Sequence, residues 1–407
     1  VLRLTQTHAE RAHALLGASK ASQWINCTPS ARLQEGVEDK RSEYANEGTL
    51  AHELAEIKLT RRLTVCDSIK RKTLDKKLEL LKANPMYGPE MENAVQDYVE
   101  MVEERYMAAK ARSEDAVVVL EDWLDFSDWT APDQGGTGDV VLIADGVLDV
   151  IDLKYGKGVP VSAIGNSQIR LYGLGAWNKY NFLYDIRELH LTIAQPRLDS
   201  ITTEVITVDE LLEWAENKVK PAAALAYEGK GEFKSGDHCR WCKVKATCRA
   251  RADANMAALQ YEFREPALMT LEEIGSILFI AQQLKAWAGD VEEYAFEQAK
   301  LGNRVPLWKL VEGRSNRTIT DKDAAKAKLE AATLPSGEKL PLDKYLKPQE
   351  LFGIGDLEKQ IGKKELNTLI GDLIIKPTGK PVLVPETDKR PELNSVEQDF
   401  AGEDFDN

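Results

Sequence analysis

GTGDVVLIADGVLDVIDLKYG, residues 136–156, holds two apolar, β-branched runs on either side of Asp145-Gly146. An Asp-Gly pair between such runs is a strong signal for a two-residue hairpin, and a type I′ turn there requires positive φ at both central residues. With that turn Ala144 pairs with Val147 and Ile143 with Leu148, and the ladder continues until Asp139 lies opposite Asp152. Directly paired residues stand about 4.5–5.5 Å apart at Cβ and project to one face. Two carboxylates that close repel each other, so stability alone gives no reason for them, and a divalent cation between them removes the conflict. Lys154, two residues beyond Asp152 in the same strand, points to the same face. Two hard oxygen ligands and an ammonium on one spot suit Mg²⁺ or Mn²⁺ and a phosphate ester. A solvated hairpin face bearing ordinary charges is the bland alternative.

Working outward, Ala116 to Leu120 and Glu188 to Ile193 read as further strands, being short and rich in β-branched residues. Asn166 to Lys179 between the hairpin and the last strand has a helical pattern, as does Ala51 to Leu59, opened by Gly48-Thr49. The order helix, strand, strand, strand, helix, strand predicts a compact α/β core with a mixed central sheet flanked by helices. From Leu2 to Lys58 the pattern is mostly helical, broken by a turn at Thr28-Pro29-Ser30. Lys70 to Ala111 reads as a charged helical insertion, solvated and interrupted near Pro85 and Pro89. Helices are also expected over Val208 to Ala226, Ala250 to Ala258 and Leu271 to Leu301. A strand at Trp308 to Val311 and a small mixed region follow.

The Asp139…Asp152-Leu153-Lys154 arrangement resembles the PD-(D/E)XK nuclease superfamily, and more closely its RecB-type branch. That branch adds a histidine on a preceding helix and a QxxxY motif on a following one. Here GTLAHELAE supplies His52 and QIRLY supplies Gln168 and Tyr172, in the family's order, over about residues 21–248. The superfamily's proline before the first acid is absent, Gly138 standing there, a departure that the RecB-type branch tolerates. The resemblance implies a restriction-endonuclease-like core in which His52, Asp139, Asp152 and the Leu153 carbonyl ligate a cation. It further implies that Lys154 orients or deprotonates the attacking water, that Gln168 and Tyr172 position the DNA backbone or the lysine, and that Glu56 supports His52.

Cys239, Cys242 and Cys248 fall as C-x2-C-x5-C, with Cys27 far upstream in WINCTPSARL. In a reducing compartment four such thiols suit Zn²⁺ or an iron–sulfur cluster. One distant cysteine plus a C-terminal triplet resembles the [4Fe–4S] staple of some RecB-type nucleases, which clamps the ends of the nuclease domain together. His238 is an alternative ligand for zinc, and Cys66 is left without a partner motif.

The chain has 407 residues and a formal charge of −14, which on its face argues against a nucleic-acid partner. Between Lys234 and Arg251, however, six bases face the single acid Asp237, with Trp241 as a stacking surface, making Arg240, Trp241, Lys243 and Lys245 DNA-binding candidates. Residues 386–407 hold eight acids against Lys389 and Arg390 and read as a disordered tail. No run approaches the roughly 18 apolar residues of a membrane span, and the start is too charged for a signal peptide, so a cytoplasmic location without membrane partners is expected.

Three parts are expected: a RecB-like nuclease domain over 1–258 closed by the cluster, a helical and mixed domain over 259–385, and the acidic tail. The expected function is a Mg²⁺- or Mn²⁺-dependent deoxyribonuclease, an exonuclease or flap-processing enzyme of recombination, repair or replication acting on single- or double-stranded DNA ends. Resemblance to phage and prophage RecB-like proteins implies a phage-borne factor with a recombination or replication partner. The rival is a non-catalytic DNA-binding or assembly protein that keeps fold and cluster for architecture.

Overall fold

The hairpin at 136–156 forms the middle of a five-stranded sheet. A computed structural model describes residues 14–37, 43–258 and 270–308, together with positions 355 and 364. Helices α1 (Ala21–Asn26), α2 (Ser30–Leu33), α3 (Glu43–Leu63), α4 (Ser68–Lys82) and α5 (Pro89–Arg112) precede the sheet. Strands β1 (Val117–Asp125), β2 (Gly135–Ala144) and β3 (Val147–Leu153) lead through α6 (Ser167–Tyr180) to β4 (Glu188–Gln195) and β5 (Ser200–Thr207). Helices α7 (Val208–Trp214) and α8 (Lys220–Glu228) are joined by a π turn over Ala215–Val219, and α9 (Arg249–Ala258) and α10 (Leu271–Lys300) follow.

Strand order is β1-β2-β3-β4-β5, antiparallel throughout except for the parallel β3–β4 pair, which α6 connects. The fold is thus α/β with a mixed sheet flanked by helices. Strands β2 and β3 are near-continuous apolar runs because both faces are covered. Val140, Leu142, Ile151 and Leu153 pack beneath α3 and α5, while Val141, Ile143, Leu148 and Val150 pack against the α6 side. Each such fully buried side chain stabilises the fold by about 1.5–3 kcal/mol.

The register is the one read from the sequence, Ala144 with Val147 and Ile143 with Leu148. The turn is not type I′: Gly146 is left-handed at φ 71°, and Asp145 is not. A tertiary tie accounts for this, since the Gly146 carbonyl accepts the Arg187 and Glu188 amides at 2.8 and 3.1 Å where β4 begins.

Three further differences have clear causes. The expected solvated insertion splits: α4 buries only Leu74 and Leu81, but α5 buries Met91, Ala94, Val95, Tyr98, Val99, Val102 and Ala109 and belongs to the core. Its outward Lys, Arg and Glu residues mask that helical stripe. Helix α3 starts at Glu43, so Gly48 lies inside it, where a Cβ would meet open space. Strand β5, SITTEVIT, carries Thr and Glu on its sheet face and so lacks the apolar signature of its neighbours.

Helix α10 buries none of its residues; Lys245 and Arg251 hold it through Asp290 at 2.7 and 2.5 Å. Apart from the exposed Trp308 and positions 355 and 364, the strand expected at 308–311, the mixed region after it and the tail at 386–407 lie outside the described residues. Among the described residues, no helix is long and apolar enough to cross a membrane.

Candidate active site

The β2–β3 ladder runs as far as Val140 with Ile151, and a side chain takes the next step: Asp139 Oδ2 accepts the Leu153 amide at 2.7 Å. Asp139 and Asp152 therefore meet at the open end of the hairpin, as the register predicts. Lys154 Nζ lies 2.8 Å from Asp152 Oδ2 and pairs with it. Helix α3 brings His52 Nδ1 to 3.2 Å from Asp139 Oδ1. Gln168 Nε2 donates to Asp152 Oδ1 at 3.4 Å, and the Tyr172 hydroxyl contacts Gln168 in turn.

Local sequence explains how α6 delivers those two residues. Asn166 caps the helix, its Oδ1 accepting the Gln168 and Ile169 amides at 2.9 and 3.3 Å. The loop before it is tied to the neighbouring strands: Val161 N–H donates to Gln195 at 2.6 Å, Ala163 N–H to Thr202 at 2.9 Å and Gly165 N–H to Glu204 at 2.9 Å. Arg170 then clamps Glu204 with two bonds of 2.8 and 2.7 Å. A Cβ on Gly136 would stand 2.8 Å from Tyr172 Cε1, so the glycine run before Asp139 is what admits the tyrosine ring.

The charges interact strongly. Burial opposes protonation of His52, but the adjoining Asp139 carboxylate outweighs it and lifts the imidazole to about 9. Against the same penalty of burial, His52 and the Leu153 amide hold Asp139 below the usual carboxylate range. Asp152 goes the other way: burial, with the Asp139 charge adding to it, raises its carboxyl although Lys154 opposes. Two neighbouring carboxylates with opposite shifts, an imidazole and an ammonium are therefore held together within one buried cluster.

A donor set of two buried carboxylates beside an imidazole fits a divalent cation. The arrangement is open. Among the described residues no three His, Cys, Asp or Glu side chains already close around one point, because these donors engage one another. Leu153, whose carbonyl completes the expected ligand set, is the last residue of β3.

Beside these residues the fold adds two that the sequence reading missed. Tyr98 on α5 and Glu121 on β1 line a small cavity with His52, Glu56 and Asp139. Glu121 leaves a trace in the sequence, an acid interrupting the VVVL run, whereas Tyr98 leaves none.

The four cysteines of the expected cluster also converge. Cys27, Cys239, Cys242 and Cys248 line one cavity although more than 200 residues separate the first two, and none forms a disulfide. Buried Ser30 lines the same cavity with a hydroxyl that has no hydrogen-bond partner among the described residues. His238 contacts the Cys239 and Cys27 thiols, which push it up to about 10, and its Nε2 lies 2.8 Å from the Lys234 carbonyl. In return it holds both thiols below their usual value against the effect of burial, while burial raises Cys242. Four free thiols and an unsatisfied hydroxyl fit a cluster or metal that needs thiolates and hydrogen bonds to sulfur. Cys66 lies apart, its thiol 3.5 Å from the Thr60 carbonyl.

The basic segment is less available than its composition indicates. Lys245 and Arg251 are engaged with Asp290, and Lys243 Nζ donates to the Val37 carbonyl at 2.9 Å. Arg240 stacks over Trp241 at 5.4 Å, and that indole is 65 % exposed, so these two keep an open surface.

A solved structure described as "Crystal structure of SSO0001" is similar over 56 % of this chain and 96 % of its own, at 14 % identity and a TM-score of 0.21. A likeness at that score carries no structural argument. Residues 13–391 match the family model described as "Protein of unknown function (DUF2800)", and the chain belongs to that family.

Proposed function

We propose that this protein is a divalent-metal-dependent deoxyribonuclease with a RecB-type PD-(D/E)XK site, acting on DNA ends in recombination, repair or replication, in a phage setting. One observation carries the reading: Asp139, Asp152, Lys154, His52 and Gln168, from four separate elements, converge at the open end of one hairpin. A sheet end built for stability alone would not bury two carboxylates side by side.

Asp139, Asp152 and His52 are the side chains that would hold the cation. When bound, it supplies Lewis-acid stabilisation of the phosphate and a water of lowered pKa. Lys154 holds positive charge beside the point of attack, where it orients the water and offsets the charge developing on the phosphoryl oxygens. Gln168, backed by Tyr172, fixes the rotamer of Asp152. Exposed Trp241 with Arg240 offers a stacking surface for an unpaired strand.

Labelled single- and double-stranded DNA incubated with Mg²⁺ or Mn²⁺ tests the reading. Wild type is expected to cleave in a metal-dependent way and Asp152→Ala to lose that cleavage; no metal-dependent cleavage of any substrate refutes it. Substrates labelled at either end read exonuclease polarity in the same experiment.

For the thiol cavity the proposed occupant is a [4Fe–4S] cluster that fastens the α1–α2 region to the segment before α9. What supports it is that all four cysteines line one cavity. Iron and acid-labile sulfide in anaerobically purified protein test this assignment. A colourless, zinc-containing sample overturns it.

A further inference from the structure

Past Lys154 the chain leaves β3 as Tyr155-Gly156-Lys157-Gly158-Val159-Pro160, a loop that borders the open end of the hairpin. Its root is held from below. Buried Tyr155 lies under the Arg197 guanidinium, 4.5 Å from the ring centre, and Arg197 in turn reaches Glu47 on α3 at 3.2 Å and Glu90 on α5 at 3.1 Å. Glu47 precedes His52 by five residues, a rise of about 7.5 Å along α3. Buried Gln195 holds the middle of the loop. Its Nε2 donates to the Gly156 and Val159 carbonyls at 3.4 and 3.0 Å, and its Oε1 accepts the Val161 amide at 2.6 Å.

The rim of this loop is bare. Gly156, Lys157 and Gly158 are exposed, and among the described residues their amides donate to no protein acceptor. The fold accounts for neither glycine: neither has a left-handed φ, and a Cβ on either would meet nothing within 4 Å. A glycine that the fold does not require costs conformational entropy, and its remaining use is to let a ligand approach the backbone closely. Lys157 supplies the charge for such a ligand. Its side chain is 51 % exposed, and its Nζ lies 3.1 Å from Glu90 Oε1, which Arg197 already holds through Nε at 3.2 Å and Nη2 at 3.1 Å. Lys157 can therefore leave Glu90 without stripping it of its cation, and so exposed a pair contributes little to stability.

We propose that the Gly156-Lys157-Gly158 rim is a phosphate-binding loop that grips the backbone of the strand being cut, beside the scissile phosphate. The inference rests on the nuclease reading of the hairpin end. Three residues separate Lys157 from Lys154 and span at most about 11 Å, while successive phosphates of one strand stand about 3.4 Å apart along a duplex axis. The phosphate engaged thus belongs to the first few nucleotides beside the one attacked. Backbone amides and an ammonium are donors, and phosphate oxygens accept from both. Contacts to phosphate fix position and carry no sequence information, so the grip holds a strand of any sequence in register with the reaction centre.

Steady-state cleavage of a labelled single strand by the full chain with Mg²⁺, repeated at several salt concentrations, tests the proposal. Lys157→Gln is expected to raise KM by about threefold to tenfold, the range for one hydrogen-bonded contact, with kcat and the melting temperature unchanged. The rise is the same for strands of different sequence, and the salt dependence of KM becomes shallower by about one phosphate contact. Lys157→Arg keeps the wild-type KM. The double variant Gly156→Ala/Gly158→Ala is expected to raise KM while keeping or raising the melting temperature, because alanine restricts the unfolded chain at positions it can occupy. Glycines that served the fold would lower it. Variants that cleave with the wild-type KM and salt dependence, a Lys157→Gln defect confined to kcat, or a glycine variant that melts lower overturn the phosphate-binding loop while the nuclease reading stands. No cleavage of any substrate by wild type overturns both.

Discussion

Arg170→Met probes whether the clamp beneath α6 holds the candidate site. Arg170 reaches Glu204 through Nε at 2.8 Å and Nη2 at 2.7 Å, and the two side chains are 19 % and 10 % exposed. Removing one partner of a fully buried pair costs about 3–5 kcal/mol, whereas an exposed pair is worth about 0–1 kcal/mol. With this limited exposure the loss falls near the low end of the buried range, about 3 kcal/mol. The guanidinium also lies 5.5 Å above the Trp214 ring, a stacking contact that methionine replaces only in part.

The sign of the pH dependence follows from Glu204. Burial acts to raise its carboxyl, but Arg170 and the Gly165 amide outweigh burial and hold it below 4.5. A carboxylate depressed in the folded state contributes stability that is present above its unfolded pKa and is lost as pH falls through the folded one. The gap between wild type and Arg170→Met is therefore widest near pH 7 and closes below about pH 4, the unfolded glutamate value being about 4.3. In the variant Glu204 is left with the Gly165 amide and no cation in contact, so protonating it relieves the penalty. Urea unfolding at pH 7 and at pH 4 measures both quantities. A loss below about 1 kcal/mol at pH 7, or a gap that does not narrow in acid, refutes the clamp as a source of stability.

Other expectations follow from the same geometry. Gly136→Ala drives a methyl into the Tyr172 ring and is expected to cost about 1–3 kcal/mol in thermal unfolding. Asp152→Asn is expected to stabilise the metal-free protein by about 0.5–2 kcal/mol while abolishing cleavage, since it removes a buried charge that Asp139 repels; calorimetry and the cleavage assay measure the two effects separately. Cys27→Ser leaves three thiols at the cavity, and iron per chain together with the melting temperature is expected to fall.

The centre of the fold was legible because it is local. A two-residue turn sets a register, and that register alone carries Asp139 to Asp152. The turn type was not legible, because amides of β4, more than 40 residues downstream, fix the Gly146 carbonyl. Helix α5 escaped for a related reason: its apolar stripe sits under a coat of charges, and burial of Tyr98 and Val99 depends on a sheet that comes later in the chain. The site divides along the same line. His52, Gln168 and Tyr172 belong to motifs with fixed spacing, whereas Tyr98 and Glu121 reach the centre only through tertiary packing. The bases of the Cys-rich segment illustrate the converse error, since a run of bases says nothing about the Asp290 with which Lys245 and Arg251 pair.

That pairing bears on the net charge of −14. With Lys245 and Arg251 engaged, the segment around the cysteines supplies less positive potential than six bases against one acid indicate. The hairpin end is itself rich in carboxylates, so on the proposed reading both the whole chain and the reaction centre repel a phosphodiester until cations bind. Metal binding and DNA binding are then coupled in one direction by charge: cations relieve the repulsion between Asp139 and Asp152 and create the attraction for phosphate. The two neighbouring carboxylates are what make the open end of the hairpin responsive to a cation, since burial and the Asp139 charge both act against an ionised Asp152.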